Sequence, residues 1–300
     1  MSTVLRFTDV WKHFHSVTAL DNLNLEVPEG SVYGFIGPNG AGKTTAIKIL
    51  MNILTANSGR AEVLGVDARQ LGPSHLERIG YVSENQKMPD WMTVEYLLKY
   101  LRPFYPTWDD QRAEELLRQF NLPRDRRLRH LSRGMWMKAA FTSSLAYRPK
   151  LLVLDEPFSG LDPLVREDLI EGLIDSAEET TIFISSHDLG DIESFASHIG
   201  YLDSGRLQFS EEMSSLSARF REVEVTLDPP TEVPGSQWPS HWLRPEAAPS
   251  LIRFVDTHFD PERTNVEIRR LFGDVRRVSV NPMPLRAIFV TLARNGAKAA

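Results

Sequence analysis

The sequence predicts an α/β fold built on a mostly parallel sheet. A glycine-rich loop formed by Gly37, Pro38, Asn39, Gly40, Ala41, Gly42, Lys43, Thr44 and Thr45 lies between a strand-like run, Ser31–Ile36, and a helix-like run, Thr44–Met51. Two short apolar runs, Leu151–Leu154 and Thr181–Ile184, have the character of central parallel strands. Between them Leu164–Ala177 carries apolar residues at helical spacing. Strands and helices that alternate around such a loop define a layered α/β core.

The remaining elements follow in order. Val4–Val10, Ala19–Val27 and Ser31–Ile36 read as short strands, the last two separated by the turn signal Pro28-Glu29-Gly30, and an N-terminal antiparallel β segment is expected. Ala61–Leu64 and Ile79–Val82 read as further strands. The pattern then turns helical over Thr93–Leu101, Trp108–Phe120 and Met135–Tyr147, an inserted helical subdomain over about 88–148. A first domain is expected over 1–220. Six prolines at 229, 230, 234, 239, 245 and 249 argue for a linker or long loop over 221–249. Beyond it, Ser250–Asp256 and Asp274–Val280 look like strands, and Pro261–Phe272 and Leu285–Arg294 like helices, a small α+β appendage over 250–300.

Composition narrows the function. The 300 residues suit about two domains, and 42% hydrophobic with 25% charged residues is ordinary for a globular protein. A net charge of −6 argues against nucleic acid as a partner. The absence of cysteine excludes disulfides, thiolate metal sites and cysteine nucleophiles. The N-terminus lacks an apolar signal core, and no apolar run approaches the ~18 residues that cross a bilayer. A soluble chain is expected, and work at a membrane requires docking onto another protein.

The glycine-rich loop fits G-x-x-x-x-G-K-[ST], with Gly37, Gly42, Lys43 and Thr44 in the required places. Backbone N–H groups would cradle a polyphosphate, Lys43 would reach the β- and γ-phosphates, and Thr44 would offer its hydroxyl to Mg²⁺. The following helix N-terminus adds attraction for phosphate. Leu151–Glu156 is an apolar strand ending in two carboxylates. Asp155 is suited to support Mg²⁺ and Glu156 to polarise the water that attacks the γ-phosphate. Ser132 is a natural N-cap, and Gly134 would let phosphate approach the backbone, although a capped helix alone explains both. His187 follows the apolar run 181–184 and is a candidate partner for the γ-phosphate.

The order of these motifs, with Leu131-Ser-Arg-Gly-Met135, Ser159-Gly-Leu-Asp162 and Ser185-Ser-His187, resembles the nucleotide-binding subunit of an ATP-binding-cassette (ABC) transporter over residues 4–210. The resemblance implies a P-loop NTPase core, ATP and Mg²⁺ as cofactors, and two cassettes paired head to tail around two ATP molecules. It implies a separately encoded membrane permease as partner and a place on the cytoplasmic face of the membrane. By motif, Gly37–Thr45 is Walker A and Leu151–Glu156 is Walker B. Ser132 and Gly134 belong to the signature that contacts the opposite subunit's ATP, Asp162 to the D-loop, and His187 is the switch histidine. Phe14 occupies the position whose ring stacks on adenine, with core packing as the alternative. The C-terminal extension leans toward the exporter-type branch, and we expect residues 221–300 to stabilise the dimer.

Two departures stand out. Where the family has Gln after the strand Ile79–Val82, this chain has Glu84, with Gln86 two residues later. Glu84 could ligate Mg²⁺ or hold water, at the cost of extra negative charge near the triphosphate, and Gln86 could substitute if the loop shifts. In the signature, Arg133 and Met135 replace the usual Gly and Gln, and Arg133 would add positive charge. A soluble ABC ATPase without a transport role, and a regulatory module that hydrolyses ATP poorly, are the competing readings. Glu84 favours the second, whereas Asp155, Glu156 and His187 oppose it.

Overall fold

The computed structural model describes residues 2–228, 238–273 and 275–296. The chain divides into two compact units, Met1–Ser210 and Glu211–Ala300. The first begins with β1 (Thr3–Phe14), β2 (Val17–Pro28), β3 (Val32–Ile36), α1 (Lys43–Leu50), β4 (Ser58–Val63), β5 (Val66–Asp67), α2 (Pro73–Leu76) and β6 (Ile79–Ser83). It continues with α3 (Val94–Leu101), α4 (Asp110–Gln119), α5 (Arg133–Leu145), β7 (Leu151–Asp155), α6 (Pro163–Ser176), β8 (Thr181–Ser186), β9 (His198–Asp203) and β10 (Arg206–Glu212), within which the division falls.

β3, β7 and β8 are buried along their whole length, which is why their sequences show no alternation. They lie inside a six-stranded sheet ordered β10-β9-β3-β8-β7-β6. The pairs β9–β3, β3–β8, β8–β7 and β7–β6 are parallel. Parallel pairing brings the C-terminal ends of these strands to one edge. There Ile36 pairs with Ser186, Asp155 with Ser185, and Ser83 with Asp155. The loops leaving that edge carry the chemistry-bearing motifs, as expected for an α/β sheet. A second, antiparallel sheet ordered β2-β1-β4-β5 shares a core with β3 and α1, including Phe7, Leu23, Val27, Phe35 and Ile47. Side chains cap the helices of the 94–145 stretch. Thr93 accepts from the Tyr96 N–H, Asp109 from the Arg112 N–H, and Ser132 from the Met135 N–H.

The second unit contains α7 (Met213–Arg219), β11 (Arg221–Thr226), β12 (Trp242–Ala248), β13 (Leu251–Asp256), α8 (Pro261–Phe272), β14 (Arg277–Pro282) and α9 (Leu285–Gly296). Its strands form an antiparallel sheet ordered β12-β13-β11-β14. Val223, Val225, Trp242, Ile252, Phe254 and Ile268 form its core. The expected linker over 221–249 is thus corrected, since that stretch holds β11 and β12. Pro245 is tolerated because β12 is an edge strand whose register shifts between Leu243 and Glu246, so the missing N–H breaks no ladder bond. The division also falls ten residues before the expected 220. Pro229, Pro230, Pro234 and Asp274 lie outside the described residues.

Candidate functional site

The glycine-rich loop leaves β3 and enters α1 through Gly42, which has φ +109°. A Cβ there would lie 2.3 Å from the Ala19 carbonyl oxygen, so both backbone and space require glycine. Pro38, Asn39 and Gly40 are exposed at the crest, while Ala41 and Lys43 are buried. Thr44 is exposed and Thr45 half-buried at the start of α1. The Lys43 ammonium turns back into the loop and donates to the carbonyls of Gly37 at 2.6 Å and Pro38 at 3.2 Å. It also pairs with Glu156 Oε1 at 3.1 Å.

Glu156 is the centre of the arrangement. Its other oxygen lies 2.7 Å from His187 Nδ1. Its N–H donates to Ser185 Oγ at 3.0 Å, and its backbone has φ +52°. That left-handed conformation is strained for a non-glycine residue, a pattern that concentrates at functional sites. Asp155 lies beside it. Its Oδ1 accepts from Thr44 Oγ1 at 3.0 Å and from Ser185 Oγ at 2.9 Å. Burial pushes the Asp155 carboxyl above the usual carboxylate range, against the hydrogen bonds from Ser185 and Thr44 that favour its charge, while Glu156 adds to the upward push.

The turn carrying His187 is anchored from below. Ser186 Oγ donates to Asp191 Oδ2 at 2.8 Å, and Arg166 of α6 pairs with Asp191 at 2.5 Å. Burial raises the Asp191 carboxyl, opposed by Ser186 and Arg166. The sequence reading missed Ser185, Ser186, Asp191 and Arg166. The two serines stood in a motif already singled out, where only the histidine drew attention.

The structure brings Lys43, Thr44, Asp155, Glu156 and His187 together. Ser132, Gly134 and Asp162 stand apart from that chain of hydrogen bonds. Asp162 caps α6 by accepting from the Val165 N–H at 3.0 Å. Gly134 is buried, and a Cβ there would lie 2.9 Å from both Val165 methyls, so close packing of α5 on α6 already demands glycine. The Phe14 ring ends β1 and is 41% exposed, which rules out core packing. Lys12 Nζ sits 4.9 Å from its centroid. Glu84 is engaged by two neighbours. Its carboxylate is held by the Arg133 guanidinium and, at 3.2 Å, by Ser159 Oγ; among the described residues its hydrogen bonds go to these and not to Thr44 or Asp155. Gln86 folds back onto the Ser83 N–H at 3.4 Å.

A family model described as ABC transporter matches residues 20–159. The chain is 31% identical over 211 residues to the ABC transporter ATP-binding protein YtrB of Bacillus subtilis (strain 168), covering 70% of this chain and 72% of that protein. The chain belongs to the ATP-binding subunits of ABC transporters. The cassette is also 32% identical over 226 residues to the bacitracin transport ATP-binding protein BcrA of Bacillus licheniformis, covering 74% of each. A solved ATP-binding subunit of an ABC transporter superposes with a TM-score of 0.65 at 25% identity, covering 72% of this chain and 92% of that chain. This cassette is therefore an ATP-binding and ATP-hydrolysing transporter subunit, and no helix among its described residues is long and apolar enough to cross a membrane.

Proposed function

We propose that the cassette binds MgATP at the Lys43–Glu156–His187 chain and uses its hydrolysis to drive a separately encoded permease on the cytoplasmic face of the membrane, in the direction of export. The observation that carries this is the unbroken contact from Lys43 Nζ through Glu156 to His187 Nδ1, at 3.1 and 2.7 Å. Residues 37–45 would wrap the phosphates with backbone N–H groups, and Lys43 would exchange its loop carbonyls for phosphate oxygens. That exchange frees Glu156 to take a proton from the attacking water, while His187 holds the carboxylate in orientation. Thr44 and Asp155 offer a hydroxyl and a carboxylate that already converge, a hard-oxygen pair that fits Mg²⁺ and would hold it. The ion would offset negative charge on the phosphate oxygens.

Phe14 would stack its open ring on adenine. Ser132, Gly134 and Asp162 would serve the nucleotide of a second cassette paired head to tail. Binding of ATP to the closed pair more tightly than to separate cassettes would drive closure. Permease docking is favoured by an apolar groove of about 370 Å³ that Met88, Leu97, Tyr100 and Tyr105 help to line, with Trp91, Tyr96 and Phe104 exposed in the same helical stretch. The chain is 31% identical over 215 residues to the Nod factor export ATP-binding protein I of Cupriavidus metallidurans, covering 69% of this chain, and that similarity supports export.

The test is purification of a Glu156→Gln variant with MgATP from detergent-solubilised membranes of its own host. Hydrolysis should fall by about 10²-fold or more, and a multi-spanning membrane protein should come with the cassette. Recovery of the cassette pair alone, or with a soluble partner, would overturn the transport reading.

A further inference from the structure

We propose that Arg133 is a positioning residue for MgATP binding, paired with Glu84 so that the two departures from the family pattern form one compensated unit. This rests on the nucleotide site proposed above.

Residue 84 lies next to the reacting carboxylates. Ser83 pairs with Asp155 across β6 and β7, and the Glu84 N–H donates to the Asp155 carbonyl at 3.1 Å. Three carboxylates, those of Glu84, Asp155 and Glu156, thus leave two adjacent strand ends where a polyanion must bind. Lys43 is already shared with Glu156 and the loop carbonyls. The charge of Glu84 is met by Arg133, which comes from the first turn of α5. The same carboxylate oxygen accepts from Ser159 Oγ. The guanidinium also lies against Gly160, where φ is +65° and a Cβ would fall 3.2 Å from Arg133 Cζ. One side chain therefore touches both the loop after β6 and the turn that follows Glu156. Glutamine and glycine at 84 and 133 would need no such tie; glutamate needs the arginine.

The pair is half in solvent, with side-chain exposures of 49% and 31%. Exposed pairs contribute little to stability, so its loss should register in nucleotide affinity. Without Arg133, Glu84 repels the triphosphate through partly screened solvent.

The experiment titrates MgATP into the full-length chain by calorimetry, comparing the parent with Arg133→Ala, Glu84→Gln and the double variant. Arg133→Ala should weaken binding about three- to tenfold with Tm shifted by less than about 2 °C. The defect should shrink at 1 M salt, where the Debye length is about 3 Å. The double variant should return to within about twofold of the parent, the margin of an exposed pair, and Glu84→Gln alone should bind no more weakly than the parent. A double variant as weak as Arg133→Ala, or a defect indifferent to salt, overturns the pairing. A Lys43→Ala control separates this from the site itself: if the parent does not bind MgATP, or binds regardless of Lys43, the nucleotide-site reading fails and the pairing with it.

Discussion

At Asp155, burial and catalytic use pull in opposite directions. The residue is 6% exposed, and its carboxyl is raised mainly by desolvation. A folded-state pKa above the unfolded one means that the folded chain holds the proton more tightly. The resulting penalty is full above the folded pKa and vanishes below the unfolded one, so stability at this site falls as pH rises between the two. Asp155→Asn keeps an oxygen to accept from Thr44 and Ser185 and removes the buried charge. We expect its Tm at neutral pH to exceed the parent's by about 2 °C or more, the gap to close on acidification, and MgATP hydrolysis to collapse. Scanning calorimetry across pH checks this, and a gap that widens in acid would refute the desolvation argument.

At the scale of elements, α5 and α6 meet where Gly134 faces Val165. Alanine at 134 gains roughly 0.5–1 kcal/mol of helix preference, while forcing a methyl to 2.9 Å from both Val165 methyls costs typically about 1–3 kcal/mol. The clash wins. Gly134→Ala should lower Tm by about 2–4 °C for each kcal/mol lost, and adding Val165→Ala should recover most of it; no recovery would show that α5 and α6 do not meet there. Such contacts also explain what was legible in advance. β3, β7 and β8, with the glycine-rich loop and Asp155-Glu156, could be read because each is a local run with its chemistry attached. Ser132 marked a helix start for the same reason. β9 escaped notice because Ile199–Leu202 is too short for periodicity to declare. β12 was hidden by Pro245, whose harmlessness depends on edge position and a register shift that exist only in the assembled sheet. The Arg133–Glu84 pair spans 49 positions, and Arg166–Asp191 joins a helix to a distant turn; neither leaves a local signature.

The chain divides into two units, and Lys43, Glu156 and His187 all belong to the first. Our hypothesis is that it stabilises the cassette pair, motivated by the exposed apolar side chains of Val266, Val280 and Val290. Light scattering of the Glu156→Gln form with MgATP should show a dimer for the full chain and a monomer for one ending after Glu212, with nucleotide binding kept in both. Equal dimerisation would sink the idea. Glu156 itself links this global stability to turnover, since its φ of +52° would suit Gly or Asn with less strain. A library of this chain screened only for survival at high temperature would enrich those two residues at 156, and the winners would be well-folded molecules that no longer fire. Heat tolerance and work output therefore select opposite codons at one position.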